Sequence, residues 1–253
     1  MKKLAGTLFI RNGRELDYCF EAAIKSLQVF CNHVFVCEAG STDDTFEVLK
    51  TLLDGKTTIL QCSKEQWNEQ QGRQKLSYFS NIAIQYAQQQ GYEYQFNLQG
   101  DEVIDPDSIP YIQRAIELGE EGYYVTRHNM WADAEHILNV PQSRKPVSTQ
   151  IARLTKTCYR SVDDAESCLA PCSLDFINLI QVWHMGFIRD NQKHIVKIKE
   201  MQKNIFQFDN YDSRADLKPE FDWKDWGFTE KDLIKIHKPL PIYAKEWVEN
   251  LNK

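Results

Sequence analysis

The sequence has no paired CxxC spacing, no long apolar run and no excess of basic residues. Its seven cysteines lie mostly in apolar stretches, which predicts buried free thiols in a reducing compartment and not a disulfide framework or a zinc site. The apolar N-terminal stretch is too short for a signal peptide and runs into Arg11 and Arg14. No segment approaches the roughly 20 apolar residues that a membrane span needs. Together these absences predict a cytoplasmic protein.

The net charge and the length of the chain limit the kind of protein and the number of domains that are possible. A net charge of −6 argues against a chain-wide basic surface for nucleic acid. The 253 residues suffice for one large domain, or for one domain with an appendage. No internal repeat or low-complexity segment is present.

Apolar runs that suit buried strands alternate with amphipathic stretches that suit helices. The predicted strands are 4–10, 34–37, 57–60, 93–98 and 122–126. Such alternation predicts βαβ units and a mostly parallel sheet flanked by helices. After the third of these strands, the polar residues 63–71 predict a surface loop with Trp67 as its one apolar anchor.

The pattern is irregular after residue 127, apart from a candidate strand at 148–154. The last fifty residues alternate aromatic and charged side chains. We interpret them as a helical appendage packed on the main domain, or as an acceptor-side or dimer surface. Its prominent aromatic residues are Trp223, Trp226 and Trp247.

Two acids follow the fourth predicted strand in the turn 99–102, QGDE. The carboxyl ends of strands are where α/β folds bind their ligands, and carboxylates suit a hard divalent cation that carries phosphates with it. A plain polar turn, with Asp105 capping the next helix, explains the same residues. The turn alone leaves both interpretations open, and we expect Asp101 to lie in a surface cleft.

Three strand ends coincide with a known pattern: Arg11-Asn12, the stretch EAGSTDDT from Glu38, and QGDE. This pattern resembles the nucleotide-sugar-binding half of a GT-A glycosyltransferase of the family 2-like group. The segment WHMGFIR, 183–189, is similar to the late His-x-Gly-x-x-Arg segment of some members. The resemblance implies an α/β, Rossmann-like GT-A fold with a mostly parallel sheet flanked by helices and a C-terminal helical appendage.

The resemblance also implies a domain organisation. Residues 1–200 would form the GT-A domain, with 1–127 as the nucleotide-sugar-binding half and 128–200 as the acceptor half. Residues 201–253 would form the aromatic-rich appendage.

Roles for individual residues follow from the same resemblance. Asp101 matches the metal-binding aspartate, and His184 would complete a Mn²⁺ or Mg²⁺ site. Gln99 stands at the first acid of the family's DxD motif, where a carboxamide brings no charge to the metal. The residues expected to contact the nucleotide-sugar are Arg11, Glu38 (at the position of the base-binding aspartate), Gln99, Asp101, and Arg189 with Lys193 for the diphosphate.

An inverting enzyme of this kind needs a carboxylate base for the acceptor hydroxyl. The acid cluster SVDDAES lies between the metal motif and His184 in sequence. It predicts Asp164 as the catalytic base, with Asp163 as the second candidate. A solvated acidic loop would give the same sequence.

The predicted function is a divalent-metal-dependent glycosyltransferase, hexosyl- or related, that moves a sugar from a nucleotide-diphosphate sugar to a carbohydrate or other hydroxyl acceptor. One alternative is a phage-type DNA glycosyltransferase acting on a hydroxymethylated base. Its basic footprint would be the lysines of 189–203, at positions 193, 197, 199 and 203. The other alternative is a non-catalytic nucleotide-binding scaffold, which the carboxamide of Gln99 permits.

Overall fold

A computed structural model describes residues 2–141, 148–189, 191–205, 224 and 227–251. Of the aromatic residues singled out above, Trp223 and Trp226 lie outside these ranges. The strands are β1 Leu4–Ile10, β2 His33–Ala39, β3 Thr57–Cys62, β4 Tyr94–Asn97, β5 Glu102–Ile104, β6 Gly122–Asn129, β7 His136–Leu138, β8 Gln150–Lys156, β9 Ser161–Val162, β10 Ser167–Cys168, β11 Gln181–His184 and β12 Leu233–Lys235. The α-helices are α1 Phe20–Gln28, α2 Thr45–Thr51, α3 Lys64–Glu69, α4 Gln74–Gln89, α5 Ile109–Leu118, α6 Asn191–Lys199 and α7 Ile242–Leu251.

Eight of these strands form one sheet in the order β3-β2-β1-β4-β8-β6-β11-β5. The neighbours β3-β2, β2-β1, β1-β4 and β6-β11 are parallel. Strands β8 and β5 pair antiparallel with their neighbours. The mostly parallel sheet is therefore confirmed, with antiparallel strands confined to the β8 and β5 positions.

The two faces of the sheet bury different sets of side chains, as the period of two in a strand requires. Leu8 and Val36 pack with helices α1 and α5 on one face. Phe35 and Cys37 pack with helix α4 and Trp67 on the other. The sheet therefore lies between two layers of helices, which confirms the predicted α/β class and agrees with the architecture implied by the resemblance.

Strands β1, β2 and β4 run parallel and side by side, so their carboxyl ends meet at one edge of the sheet. The turns that follow them begin at Arg11, Gly40 and Leu98. All three motifs of the resemblance are thereby brought to the same edge. This is the position at which open α/β sheets bind ligands.

The loop prediction for residues 63–71 is wrong, because helix α3 begins at Lys64. The Ser63 hydroxyl accepts the backbone N–H of Gln66, and the Gln66 side chain accepts the backbone N–H of Ser63. This capping box satisfies two helix N-terminal donors in an otherwise polar sequence. Trp67 is buried, as its predicted role of anchor requires.

The C-terminal segment contains helix α7, as predicted, and also a strand that the sequence did not predict. Strand β12 pairs antiparallel with β7. Helix α7 buries Ala244 against the cluster that includes Cys19 and Ala22. The domain limits at residues 127 and 200 stay a prediction.

Two further predictions concern cysteines and membrane spans. All seven cysteines are free, and five of them are buried, while Cys158 is exposed and Cys172 is intermediate. No helix within the described ranges is long and apolar enough to cross a membrane.

Candidate active site

The turns after β1 and β2 are joined by side-chain hydrogen bonds. Asn12 adopts a left-handed conformation with φ of 49°. Its side-chain oxygen accepts the N–H of Thr42 at 2.8 Å, and its own N–H donates to Ser41 Oγ at 2.9 Å. Asp43 Oδ2 accepts the N–H of Glu15 at 2.8 Å. The GSTDDT stretch thus fixes the junction between two strand ends.

Glu38, predicted to contact the nucleobase, also supports its own turn. Its Oε1 accepts the N–H of Ser41 at 2.6 Å, and the residue is 2% exposed. Gly40 has φ of 70°, and an added Cβ would collide with the backbone of Ser63. Only glycine fits the close approach between this turn and the start of α3.

Arg11 lies on the α4 side of the same edge. Its guanidinium carbon is 4.6 Å from the Trp67 ring centroid, and Lys75 Nζ is 4.8 Å from the same centroid. Arg11 Nη1 lies 3.7 Å from Glu200 Oε1. Burial lowers the pKa of Arg11, and the charge of Glu200 opposes that effect.

Asp101 is buried, with 5% of its surface exposed. The prediction that it lies in a surface cleft is therefore wrong. Its Oδ2 lies 3.1 Å from Lys197 Nζ, 3.6 Å from His184 Nε2 and 3.8 Å from Arg189 Nη2. Burial would raise the pKa of Asp101. The positive charge of Lys197 is the largest of the effects that outweigh burial and hold this pKa well below its usual value.

His184 is oriented from behind by Asn129. Its Nδ1 lies 3.1 Å from Asn129 Oδ1, and an amide oxygen can only accept, so Nδ1 carries the proton. Nε2, the other ring nitrogen, faces Asp101. A Cβ on Gly186 would collide with both His184 Nε2 and Asp101 Oδ2. Glycine at this position is therefore required for the two groups to approach.

The two predicted diphosphate contacts are separated by the structure. Arg189 reaches Asp101, but its two terminal nitrogens also donate to the backbone carbonyls of Leu16 and Gly186. Lys193 Nζ lies 3.5 Å from Asp17 Oδ1. Arg189 is thus part of the Asp101 cluster, whereas Lys193 lies against the neighbouring turn.

Lys197 is the main site residue that the sequence reasoning did not assign to the site. Its Nζ donates to Asp101 Oδ2 at 3.1 Å and to the Gly186 carbonyl at 3.3 Å, and lies 4.9 Å from the Tyr18 ring centroid. Burial, reinforced by the charge of Arg189, lowers the pKa of Lys197 to about 8.

A signal for Lys197 was present in the sequence. The i,i+4 spacing of Lys193 and Lys197 places both on one face of α6. The Lys197 side chain is 17% exposed and contacts Asp101, whereas the Lys193 side chain is 45% exposed. The predicted DNA-facing row of lysines therefore does not form at Lys197. The side chain of Lys203 lies outside the described part of the chain.

The second acid of the turn, Glu102, belongs to a buried ion network. Its Oε1 lies 2.8 Å from Arg153 Nη2 and 3.2 Å from Arg127 Nη1. Arg127 also contacts Glu166 at 2.6 Å. Glu102 Oε2 accepts the backbone N–H of Gln99 at 2.9 Å. Glu102 therefore stabilises the turn from the protein interior, and its carboxylate is paired with Arg153 and Arg127.

Gln99 connects the acidic turn to the loop that carries the predicted base. Its Nε2 donates to the Ala165 carbonyl at 3.3 Å, and its Oε1 accepts from Arg127 Nη1 at 3.5 Å. Arg153 Nη1 donates to the same carbonyl of Ala165 at 3.1 Å. The loop 163–166, between β9 and β10, is thereby held against the QGDE turn.

The two base candidates differ in their surroundings. Asp163 is exposed, with φ of 50°, whereas Asp164 is half-buried. Burial, with a further contribution from the charge of Glu166, raises the pKa of Asp164. A raised carboxylate pKa brings a general base nearer to the operating pH. This contrast favours Asp164 over Asp163.

Among the residues that the structure describes, no group of three or more His, Cys, Asp or Glu side chains could hold a metal ion. Asp101 with His184 is a pair of possible ligands. Any cation there needs further oxygen ligands from a substrate or from water.

Comparison with known proteins gives structural matches only. No family model and no curated protein matches the sequence. Among solved structures, S. aureus TarS 1–349 in complex with UDP matches at 15% identity and a TM-score of 0.42, over 62% of this chain and 47% of that one. S. aureus TarS matches at 12% identity and a TM-score of 0.46, over 85% and 41%.

A third match is the glucosyl-3-phosphoglycerate synthase from Mycobacterium tuberculosis in complex with Mn²⁺, UDP and glucosyl-3-phosphoglycerate. The identity is 17% and the TM-score 0.35, over 51% of this chain and 44% of that one. This chain thus spans less than half the length of each of these three structures.

Proposed function

We propose that this chain is a glycosyltransferase that moves a sugar from a nucleoside-diphosphate sugar to an acceptor hydroxyl. The observation that carries the proposal is the meeting of Asp101 and His184, 3.6 Å apart, at the carboxyl edge of the sheet. Glu38, expected from the resemblance to contact the base, lies at the carboxyl end of β2 on the same edge.

The pair fits a divalent cation. Two ligands of one cation, each at about 2.1 Å, stand roughly 3–4 Å from each other, and the observed separation lies in this range. Asn129 contacts Nδ1 and so leaves Nε2 as the ring nitrogen that would bind the cation. Mg²⁺ and Mn²⁺ sites commonly use one or two protein ligands and complete the shell with phosphate oxygens and water. When bound, the cation would neutralise charge on the departing diphosphate.

The protein's own groups supply the rest of the reaction. Asp164 takes the proton of the acceptor hydroxyl, and the hydroxyl oxygen attacks the anomeric carbon of the donor. The bond from that carbon to the diphosphate oxygen breaks, and its electron pair leaves with the diphosphate. Arg189 places a fixed positive charge beside the site of this leaving group.

The remaining predicted contacts belong to donor binding. Glu38 and Arg11, at the ends of β2 and β1, would contact the nucleoside. Gln99 would position the loop 163–166, which carries the proposed catalytic base. Lys193 is proposed as a more distant contact of the diphosphate. The five buried free thiols support the cytoplasm, a reducing compartment, as the location.

A donor-hydrolysis screen tests the proposal. UDP-, GDP-, ADP- and dTDP-hexoses are incubated with the protein in Mn²⁺ or in EDTA, and the released nucleoside diphosphate is measured. We expect release with at least one donor, in Mn²⁺ only. Asp101→Asn should lower the rate by about 10²–10³-fold, whereas Asp175→Asn, an exposed control, should match the parent. If the parent protein releases nothing from any donor, the enzyme proposal is wrong.

A further inference from the structure

The side-chain nitrogens of three residues lie within 4 Å of one oxygen of Asp101. The ammonium of Lys197 is nearest to Oδ2 at 3.1 Å, followed by His184 Nε2 and Arg189 Nη2. Oδ2 is the oxygen that faces His184, so a cation shared by Asp101 and His184 would use it. The ammonium of Lys197 therefore occupies part of the space next to the oxygen that a divalent cation requires.

The two basic residues of this cluster are not held in the same way. Both terminal nitrogens of Arg189 donate to backbone carbonyls, and the guanidinium lies 5.1 Å from the Tyr18 ring centroid. Lys197 reaches Asp101 from helix α6 on a flexible four-carbon stem. It also contacts the Gly186 carbonyl at 3.3 Å and the Tyr18 ring. If Lys197 leaves Oδ2 it loses one hydrogen bond to a backbone carbonyl, whereas Arg189 would lose two.

We propose that Lys197 and the divalent cation compete for Asp101 Oδ2, and that the diphosphate of the donor accepts the displaced ammonium. This inference rests on the proposed function and assigns to Lys197 a contact with the diphosphate. Cation and nucleotide then bind cooperatively. The cation alone must displace Lys197 without giving it a new partner, whereas the diphosphate supplies negative oxygens for both positive groups.

Cooperation of this kind has a reciprocal signature. If the nucleotide tightens cation binding by some factor, the cation tightens nucleotide binding by the same factor. A lysine that only supported the fold would change stability and leave this factor unaltered. The coupling factor therefore separates the two roles.

The test measures Mn²⁺ binding by electron paramagnetic resonance, without and with a nucleoside diphosphate. The nucleotide is the one among UDP, GDP, ADP, CDP and dTDP that raises the melting temperature most in Mn²⁺. In the parent protein we expect it to lower the Kd of Mn²⁺ by at least about tenfold. In Lys197→Met, Mn²⁺ alone should bind at least about tenfold tighter than in the parent, and coupling should fall below about threefold.

Two matched variants complete the design. Lys197→Arg keeps the positive charge and should retain weak binding of Mn²⁺ alone and strong coupling. Lys199→Met removes the same charge from the same helix and should behave like the parent. Lys197→Gln serves in place of the methionine variant if the latter does not fold, since it also removes the charge.

The outcomes are distinguishable. If the uncharged Lys197 variants bind Mn²⁺ alone no tighter than the parent, while Asp101→Asn abolishes binding, competition is wrong and the proposed function stands. If neither the parent nor the variants bind Mn²⁺ with any of the nucleotides, the proposed function and this inference both fail.

Discussion

At the scale of residues, charged side chains decide both the shape and the chemistry of the acidic turn. Asp101 and Glu102 are adjacent in sequence, but one meets Lys197 and His184 while the other meets Arg153 and Arg127. Burial alone would raise the pKa of Glu102. The guanidinium groups of Arg153 and Arg127 outweigh burial and hold this pKa below its usual value of 4.5.

Glu102→Gln should destabilise the protein without removing a ligand of the proposed cation. The substitution leaves two guanidinium groups buried, and Glu166 is then the only acid in ion-pair contact with either of them among the described residues. Breaking a buried ion pair costs about 3–5 kcal/mol, which urea unfolding at pH 7 would measure. Glu117→Gln removes an exposed i,i+3 partner of Arg114 and should change stability by less than about 0.5 kcal/mol. An equal effect of both variants would contradict the buried network.

The same variant gives a pH signature. A depressed carboxylate pKa contributes stability that is complete above the unfolded value of 4.5 and is lost as the pH falls through the lower folded value. The Gln variant lacks this acid-dependent loss. The stability difference between parent and variant should therefore narrow below pH 4.5.

At the scale of elements, the C-terminal segment is attached through a buried acid. Lys238 Nζ contacts Asp105 Oδ1 at 2.8 Å and Oδ2 at 2.7 Å. The same carboxylate accepts the indole N–H of Trp183 and the backbone N–H of Asp107. Asp105 therefore caps the short helical turn at 106–108, as one sequence interpretation expects, and also joins β11 to the segment between β12 and α7.

Lys238→Met should weaken this attachment. Asp105 is 1% exposed and would lose the one cationic side chain that donates hydrogen bonds to it within the described residues. A buried acceptor left short of a partner costs about 1–3 kcal/mol. We expect a lower melting temperature and faster limited proteolysis between β12 and α7. Lys245→Met, which removes an exposed i,i+4 partner of Glu249, should leave both measurements at parent values.

At the scale of the whole molecule, ligand binding and folding are linked. The proposed donor site draws on turns after β1, β2 and β4 and on the β11–α6 region, so it exists only in the folded chain. A ligand that binds only the folded state stabilises it by about 2.7 kcal/mol at a hundred times its Kd. Binding should therefore raise the global melting temperature.

We expect Mn²⁺ together with the matching nucleoside diphosphate to raise the melting temperature more than the sum of each alone. Scanning fluorimetry with UDP, GDP, ADP, CDP and dTDP measures this. Mg²⁺ replaces Mn²⁺ in a parallel series, and excess EDTA is the control for adventitious metal. Strictly additive shifts for every nucleotide would contradict a cation shared between protein and diphosphate.

The sequence by itself determined strands β1 to β4, β6 and β8, most helices and the edge where the site lies. Apolar alternation and helical periodicity are local signals, because burial on one face imposes them residue by residue. The predicted parallel arrangement of β1, β2 and β4 therefore already placed the polar motifs that follow these strands at one edge of the sheet. Helix α3 was missed because a capping box and one tryptophan sufficed to form it, without a periodic apolar face.

Only the tertiary structure decided which charges meet. Asp101 and Lys197 are 96 residues apart in sequence, and Glu102 and Arg153 are 51 apart. Two lysines at i,i+4 spacing are compatible with a solvated helix face and with a buried one. The local sequence pattern does not indicate which acidic residue such a lysine will contact. The choice follows from packing, because a charge forced into the interior is stable only beside an opposite charge or a hydrogen-bonding group.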